Sequence, residues 1–266
     1  AVNQIIKRLE QLESWRAPWE SLWQDCTDYV NPRRGDFTTK QFRGSRSRFD
    51  KVFDSTAPLA NEQLASGLHG HLTNQAERWF SLRLPGAEES TGMRRWMQNT
   101  VETMFDRAFN IPQTNFITSV HELYLDLGSY GTAIFYVEDR PGKPIQFRSF
   151  HLADCYVAEN HEGVVDTVYR KYKHTARQLM QLYADILPDK FKEIATKQPF
   201  QEFTCIHAVE PRADLQYTGE EKKDPLNMPF KSCYVLVEEK MLLKEGGFME
   251  FPYMVPRWSK TAGEVY

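Results

Sequence analysis

The sequence predicts an α+β fold: a helical N-terminal part, 1–130, packed with an antiparallel β-rich region, 131–258. Two patterns carry that expectation. Up to Gly128, apolar residues recur every third or fourth position, the period of a helix with one buried face. After Gly131 they fall in short runs separated by turn residues, the pattern of strands in a meander. Composition agrees with a folded chain. Of 266 residues, 41% are hydrophobic and 13% aromatic, ample for a buried core and unlike a disordered segment.

The first helix is marked by Ile5, Leu9, Leu12, Trp19, Leu22, Cys26 and Tyr29. Pro18 lacks a backbone donor and clashes one turn back, so a kink or two abutting helices is expected there. Asn31-Pro32 ends the element. The second helix opens on Asp54-Ser55-Thr56, all good N-cap residues, and carries a row of Ala60, Leu64, Leu68 and Leu72. Ala57, Ala65, Gly67 and Gly70 make its surface small. This helix is therefore expected to lie in a tight helix contact, with Gly67 inside it. Trp79–Leu84 reads as a short strand closed by Pro85-Gly86. The third helix has the clearest period, through Met93, Trp96, Met97, Thr100, Val101, Met104, Phe105 and Ala108. The fourth follows the Asn110-Ile111-Pro112 break with Phe116, Ile117, Val120, Leu123, Tyr124 and Leu127, and Gly128 is its expected C-cap.

Beyond Gly131, strands are expected at 133–137, 145–147, 156–158, 164–169, 203–209, 233–237 and 241–244. A helical insert covers about 175–195, with Leu179, Leu182, Tyr183 and Ile186 on one face. The polar stretch between Pro211 and Pro229 reads as an exposed loop.

Residues 33–51 stand apart. Arg33, Arg34, Lys40, Arg43, Arg46, Arg48 and Lys51 oppose only Asp36 and Asp50, a net +5 in a chain of net −3. Such a segment can neutralise phosphates without reading base sequence. It can equally meet a neighbouring subunit, or stay solvated, since most surface charge pairs contribute little.

Other candidate chemistry is thin. Cys26, Cys155, Cys205 and Cys233 are scattered, without the close pairs of a zinc site, and fit buried free thiols in a reducing compartment. His69 and His71 sit two apart on a helix, where side chains diverge by about 200°, so they read as surface histidines that share no metal. Arg34-Gly35-Asp36 matches an integrin-type tripeptide, which is weak information. There is no phosphate-binding G-x-x-x-x-G-K-[ST] motif, no G-x-S-x-G elbow and no H-E-x-x-H pair. No cofactor and no enzymatic activity are expected. No apolar run reaches the ~18 residues of a membrane span, and no membrane partner is expected.

Several blocks, in order, carry a family resemblance. They are Asp54-Ser55-Thr56-Ala57, Leu64-Ala65-Ser66-Gly67-Leu68, Leu72-Thr73 and Trp79-Phe80-Ser81-Leu82. Further on come Asp126 to Ala133, Tyr156 to Asn160, Gly163 to Asp166 with Arg170, Phe251-Pro252, Pro256-Arg257-Trp258 and Gly263 to Tyr266. In these the chain resembles the head-to-tail connector (portal) proteins of short-tailed, T7-like bacteriophages. Asn74-Gln75 departs from the family, where proline is expected.

The resemblance implies a structural virion protein that forms a dodecameric homo-oligomeric ring at one capsid vertex. Double-stranded DNA would pass through it during packaging and ejection, and the tail would attach to it. Implied partners are the packaging ATPase (terminase), the major capsid protein, the tail adaptor and internal core proteins. Assembly would take place in the host bacterial cytoplasm. The helical and β-rich parts would form the portal wing, and 259–266 would lead into a stem C-terminal of Tyr266. Two other classes stay open on the residues alone: a ring-forming tail adaptor or other structural virion protein, and an α+β enzyme.

Overall fold

The computed structural model describes residues 2–38, 51–84, 90–139, 142, 144–213, 224–261 and 263–266. Four helices come first: α1 (Val2–Tyr29), α2 (Thr56–Leu72), α3 (Thr91–Met104) and α4 (Phe116–Tyr130). Then follow β1 (Ile134–Glu138), β2 (Gln146–Phe150), β3 (Cys155–Glu159), β4 (Val165–Thr175), α5 (Ala176–Tyr183), α6 (Asp189–Lys197), β5 (Glu202–Pro211), β6 (Phe230–Leu236), β7 (Met241–Phe248) and β8 (Tyr253–Met254). The fold is α+β as expected, with two antiparallel sheets. Contacts gather the chain into two compact units that interleave along it.

The first unit comprises Ala1–Glu20, Ala153–Phe251 and Thr261–Tyr266. Its sheet is the expected meander, with strand order β3-β4-β5-β6-β7. Alternation along β5 explains why both faces are covered. Ile206 and Ala208 face one way, where Ile5, Leu9 and Leu12 of α1 close the core with Tyr156, Tyr169, Cys233 and Val235. Phe203 and Cys205 face the other way, against Ala176 and Leu179 of α5, Leu187, and Phe191 of α6. The α5 N-terminus is a capping box between Thr175 and Gln178, which satisfies two backbone donors.

An open sheet edge invites pairing with other chains. At β3 that edge is sealed from within. The Arg16 guanidinium donates to the carbonyls of Ala153 and Cys155, each at 2.9 Å. It also pairs with Glu20 at 2.7 Å and lies over the Tyr156 ring, 3.9 Å from its centroid. The Tyr266 hydroxyl accepts from the Val157 N–H at 3.1 Å.

The second unit comprises Ser21–Leu152 and Pro252–Lys260. A three-stranded sheet of order β2-β1-β8 supports α4, and α2 packs on α4. The core joins Ala65, Phe116, Val120, Leu123 and Tyr124 to Ala133, Phe135 and Phe147. Trp79, Phe80, Phe105 and Phe109 extend it, with Trp79 stacked parallel on Phe116 at 6.1 Å.

Several details differ from the sequence expectations; besides those below, Leu64 and Leu72 of the α2 row, Met93, Trp96 and Met104 of α3, and Leu182 and Ile186 of the insert's expected face are exposed. The first helix runs as one element through Pro18. One lost hydrogen bond does not end a helix anchored by buried Ile5, Leu9, Leu12, Arg16, Trp23 and Thr27. Leu22 and Tyr29, expected on the buried stripe, are exposed; Trp23 and Thr27 take that face. The extended Trp79–Leu84 segment joins no sheet, because its aromatic rings are held by side-chain packing. The α4 helix ends at Gly131, which supplies the left-handed φ of 75°, three residues past the expected cap. Finally, α2 meets α4 through Asn61 and Ala65 and not through Gly67, whose Cβ position has nothing within 4 Å.

Candidate functional site

The basic segment begins where α1 stops, and its first residues are firmly seated. The α1 end is closed by Val30 and Asn31 amides donating to the Cys26 carbonyl. The Arg34 amide then donates to Asn31 in a turn. Phe37 wedges its ring between Trp23, Tyr130 and His151, with centroids 5.1–5.3 Å apart. His151 Nε2 hydrogen-bonds the Gly35 carbonyl at 2.7 Å. A Cβ on Gly35 would meet the same ring at 3.0 Å, so the glycine permits this close approach.

Arg34 points inward. Its Nε donates to Asp126 Oδ1 at 2.7 Å, its Nη2 donates to Oδ2, and Nη1 lies 3.7 Å from Glu122. Such a bidentate pair is geometrically specific. Asp126 is fully buried. Burial pushes its carboxyl up to about 6, against the opposing pull of Arg34. Tyr130 is likewise raised by burial, and its hydroxyl shares a 3.0 Å hydrogen bond with Thr27.

Both ends of the segment meet α1 at one place. Gln24 Oε1 accepts from the Phe37 amide at 2.8 Å, the Thr38 amide at 3.1 Å and the Thr38 hydroxyl at 3.3 Å. Its Nε2 donates to Asp28 at 3.1 Å and Asp36 at 3.0 Å. At the other end, Lys51 donates to Asp28 Oδ2 at 2.5 Å.

The structure therefore sorts the seven basic candidates. Arg33 is exposed. Arg34 and Lys51 are engaged inside the chain. Lys40, Arg43, Arg46 and Arg48 lie outside the described residues. The Arg34-Gly35-Asp36 tripeptide leaves the Asn31–Arg34 turn, with both charged side chains bonded within the chain. Sequence reasoning missed Gln24, Asp28 and Asp126. Asp126 did leave a signal: an acid among Leu123, Tyr124 and Leu127 on the buried side of a helix calls for a cation. Gln24 left none.

Elsewhere, chemistry is sparse. His71 is exposed as expected, but His69 is partly covered, with its ring centroid 6.0 Å from that of His121 and 6.3 Å from that of Tyr124. Burial and the neighbouring His121 lower its pKa. Among the described residues no group of three or more His, Cys, Asp or Glu could hold a metal. His207 is buried, stacked on Tyr234 at 4.2 Å and bonded to Ser232 at 3.0 Å; burial lowers it to about 3, which makes it a neutral core residue. A groove of about 410 Å³ beside α3 is lined by Arg78, Trp79, Phe80, Leu82, Met97 and Val101. It offers apolar surface and one exposed ion pair, Arg78–Glu102.

A family model described as bacteriophage head to tail connecting protein matches residues 2–266. The chain belongs to that family. Two curated relatives align over nearly all of it. A protein of Bordetella phage BPP-1 named "Probable portal protein" is 28% identical over 98% of this chain and 47% of its own length. A protein of Salmonella phage epsilon15 named "Portal protein" is 29% identical over 99% of this chain and 48% of its own length. The chain thus spans about half the length of these head-to-tail connector relatives. The match covers residues of both compact units. Among the described residues, no helix is long and apolar enough to cross a membrane.

Proposed function

We propose that this chain is part of a viral portal subunit, a structural protein of the capsid vertex. The observation that carries the reading is the end-to-end match to the head-to-tail connecting family, together with alignment of 98–99% of the chain to proteins named as portals. On this reading, subunits form a closed homo-oligomeric ring, which requires heterologous contacts on two faces of each copy. Duplex DNA passes through the ring without sequence readout, inward during packaging and outward during ejection. The packaging ATPase, the major capsid protein, the tail adaptor and internal core proteins are the proposed partners, with assembly in the host cytoplasm. The role is non-catalytic. The helical 1–130 and β-rich 131–258 parts supply the wing of the subunit.

Thirty-five aromatic residues support ring formation, because aromatics are enriched at interface cores. Large apolar side chains remain exposed, including Trp15, Phe53, Trp96 and Phe200. The contact segment in this proposal is Arg33 with Lys40, Arg43, Arg46 and Arg48, rooted by Arg34 and Lys51. The chain's −3 less the segment's +5 leaves −8 on the remaining residues. The proposed partner is the acidic remainder of a second copy, with duplex DNA, itself strongly anionic, as the alternative. Reversing Arg43, Arg46 and Arg48 to Glu should abolish ring formation. Rings that form normally but no longer package DNA would assign the segment to DNA instead, and rings that form and package normally would leave it solvated.

A further inference from the structure

We propose that the His69–His121 pair is an acid-triggered switch that releases α2 from α4. Both helices lie in the second compact unit, and the switch is independent of the portal reading.

The two imidazoles face each other across the helix contact. One turn beyond buried Ala65 on α2, the His69 ring lies 6.0 Å from that of His121 on α4 and 6.3 Å from that of Tyr124, which it meets at 85°. The Tyr124 hydroxyl shares a 3.2 Å hydrogen bond with Thr73, at the C-terminal end of α2. His69 Nδ1 is buried without a hydrogen-bond partner among the described residues. A neutral imidazole tolerates this, because one of its nitrogens carries only a lone pair; in an imidazolium both nitrogens carry protons. Charging His69 therefore encloses a donor with no acceptor, which is costly. Tyr124 does not compensate, because its ring lies outside the ~6 Å reach of a cation–π contact.

Charge around the pair is one-sided. His121 Nε2 lies 3.5 Å from Glu62 Oε2, so a proton on His121 meets a carboxylate across the helices. The remaining charged groups of these elements and their neighbours are engaged elsewhere. Glu122 and Asp126 of α4 serve Arg34, Arg78 pairs with Glu102, and His71, Glu77, Asp106 and Arg107 are exposed. Burial, reinforced by His121, holds the His69 imidazole below its ordinary 6.5. A base lowered in this way contributes its full stability above about pH 6.5 and loses it as pH falls through the lowered value. The side of α2 turned away from α4 is open among the described residues: Leu59 is exposed, and the Cβ positions of Gly67 and Gly70 meet nothing within 4 Å. A helix held along one face opens as a unit when that face weakens.

The test follows amide exchange in the full-length protein from about pH 8 to about pH 5, expressed as protection relative to the intrinsic rate at each pH. Protection of the α2 amides should fall roughly tenfold across this range, the scale of one pKa unit, while the β5 amides keep theirs. His69→Gln, which cannot charge, should hold α2 protection constant with pH. His121→Gln should shrink the loss, because His69 then charges with no cation beside it. Constant α2 protection in the wild type overturns the switch. An equal loss in β5 assigns the effect to global acid unfolding and overturns it as well. A loss that persists in His69→Gln overturns His69 as the group that titrates, and a loss of full size in His121→Gln overturns the pair. Where His69→Gln is unprotected at every pH, the size of the loss in His121→Gln decides by the same criterion.

Discussion

Gly128 sits where α4 passes α2, and its substitution tests that contact directly. An ideal Cβ built there lies 2.3 Å from Asn61 Oδ1 and 3.2 Å from Leu64 Cδ2. That is roughly 1 Å inside ordinary van der Waals contact. Asn61 cannot retreat freely. It is 6% exposed, and its Nδ2 donates to the Leu125 carbonyl at 3.2 Å and to Ser129 Oγ at 2.9 Å. Gly128→Ala therefore sets overpacking of ~1–3 kcal/mol and one or two weakened hydrogen bonds of ~1 kcal/mol each against a helix-propensity gain of ~1 kcal/mol. The balance is a loss of about 2 kcal/mol, which at this chain length lowers the melting temperature by roughly 4–8 °C. Thermal unfolding followed by circular dichroism measures it. In an Asn61→Ala background the 2.3 Å obstruction is gone and only the milder Leu64 contact remains, so the same glycine change should cost far less. Gly67→Ala, with open space at its Cβ, should stabilise by ~0.5–1 kcal/mol. A Gly128→Ala protein that melts at or above wild type would refute the close α2–α4 contact.

Two further outcomes follow from buried charges. Arg16→Met leaves two carbonyls at the β3 edge and the Glu20 carboxylate without their donor; it should cost about 3 kcal/mol, read from urea unfolding. For Asp126 the folded carboxyl titrates at about 6, above its ordinary 3.8. A raised acid favours the folded state when protonated, so its contribution is full below about pH 4 and is lost as pH rises through 6. The stability of wild type relative to Asp126→Asn should fall across that window and stay flat above it. A difference independent of pH between 4 and 7 would show that Asp126 does not titrate there.

Much of the fold was legible in the sequence because period and burial coincide. The meander strands from β3 to β7 fall close to their apolar runs, since each buries a mainly apolar set, while the insert's expected face holds at Leu179 and fails at exposed Leu182 and Ile186. The first helix was legible only through Leu12. Beyond it the buried stripe passes through Arg16 and Thr27, and an apolar template moves off the true face to Leu22 and Tyr29. Trp79 and Phe80 looked like a strand because aromatics favour sheets; here they serve a cluster of rings with no backbone ladder. The basic segment was legible as charge. Its roots were not, because Gln24 and Asp28 differ from ordinary polar helix residues only in what lies opposite them. The buried Arg34–Asp126 pair shows the same limit: ninety-two positions separate the partners, and only the folded chain brings them together.

Negative-stain electron microscopy of the purified full-length protein, with sedimentation across a hundredfold concentration range, tests the portal reading most directly. The account predicts closed rings with a central hole and a mass many times that of one chain. A single monomeric species at every concentration, with no rings on the grid, would contradict it.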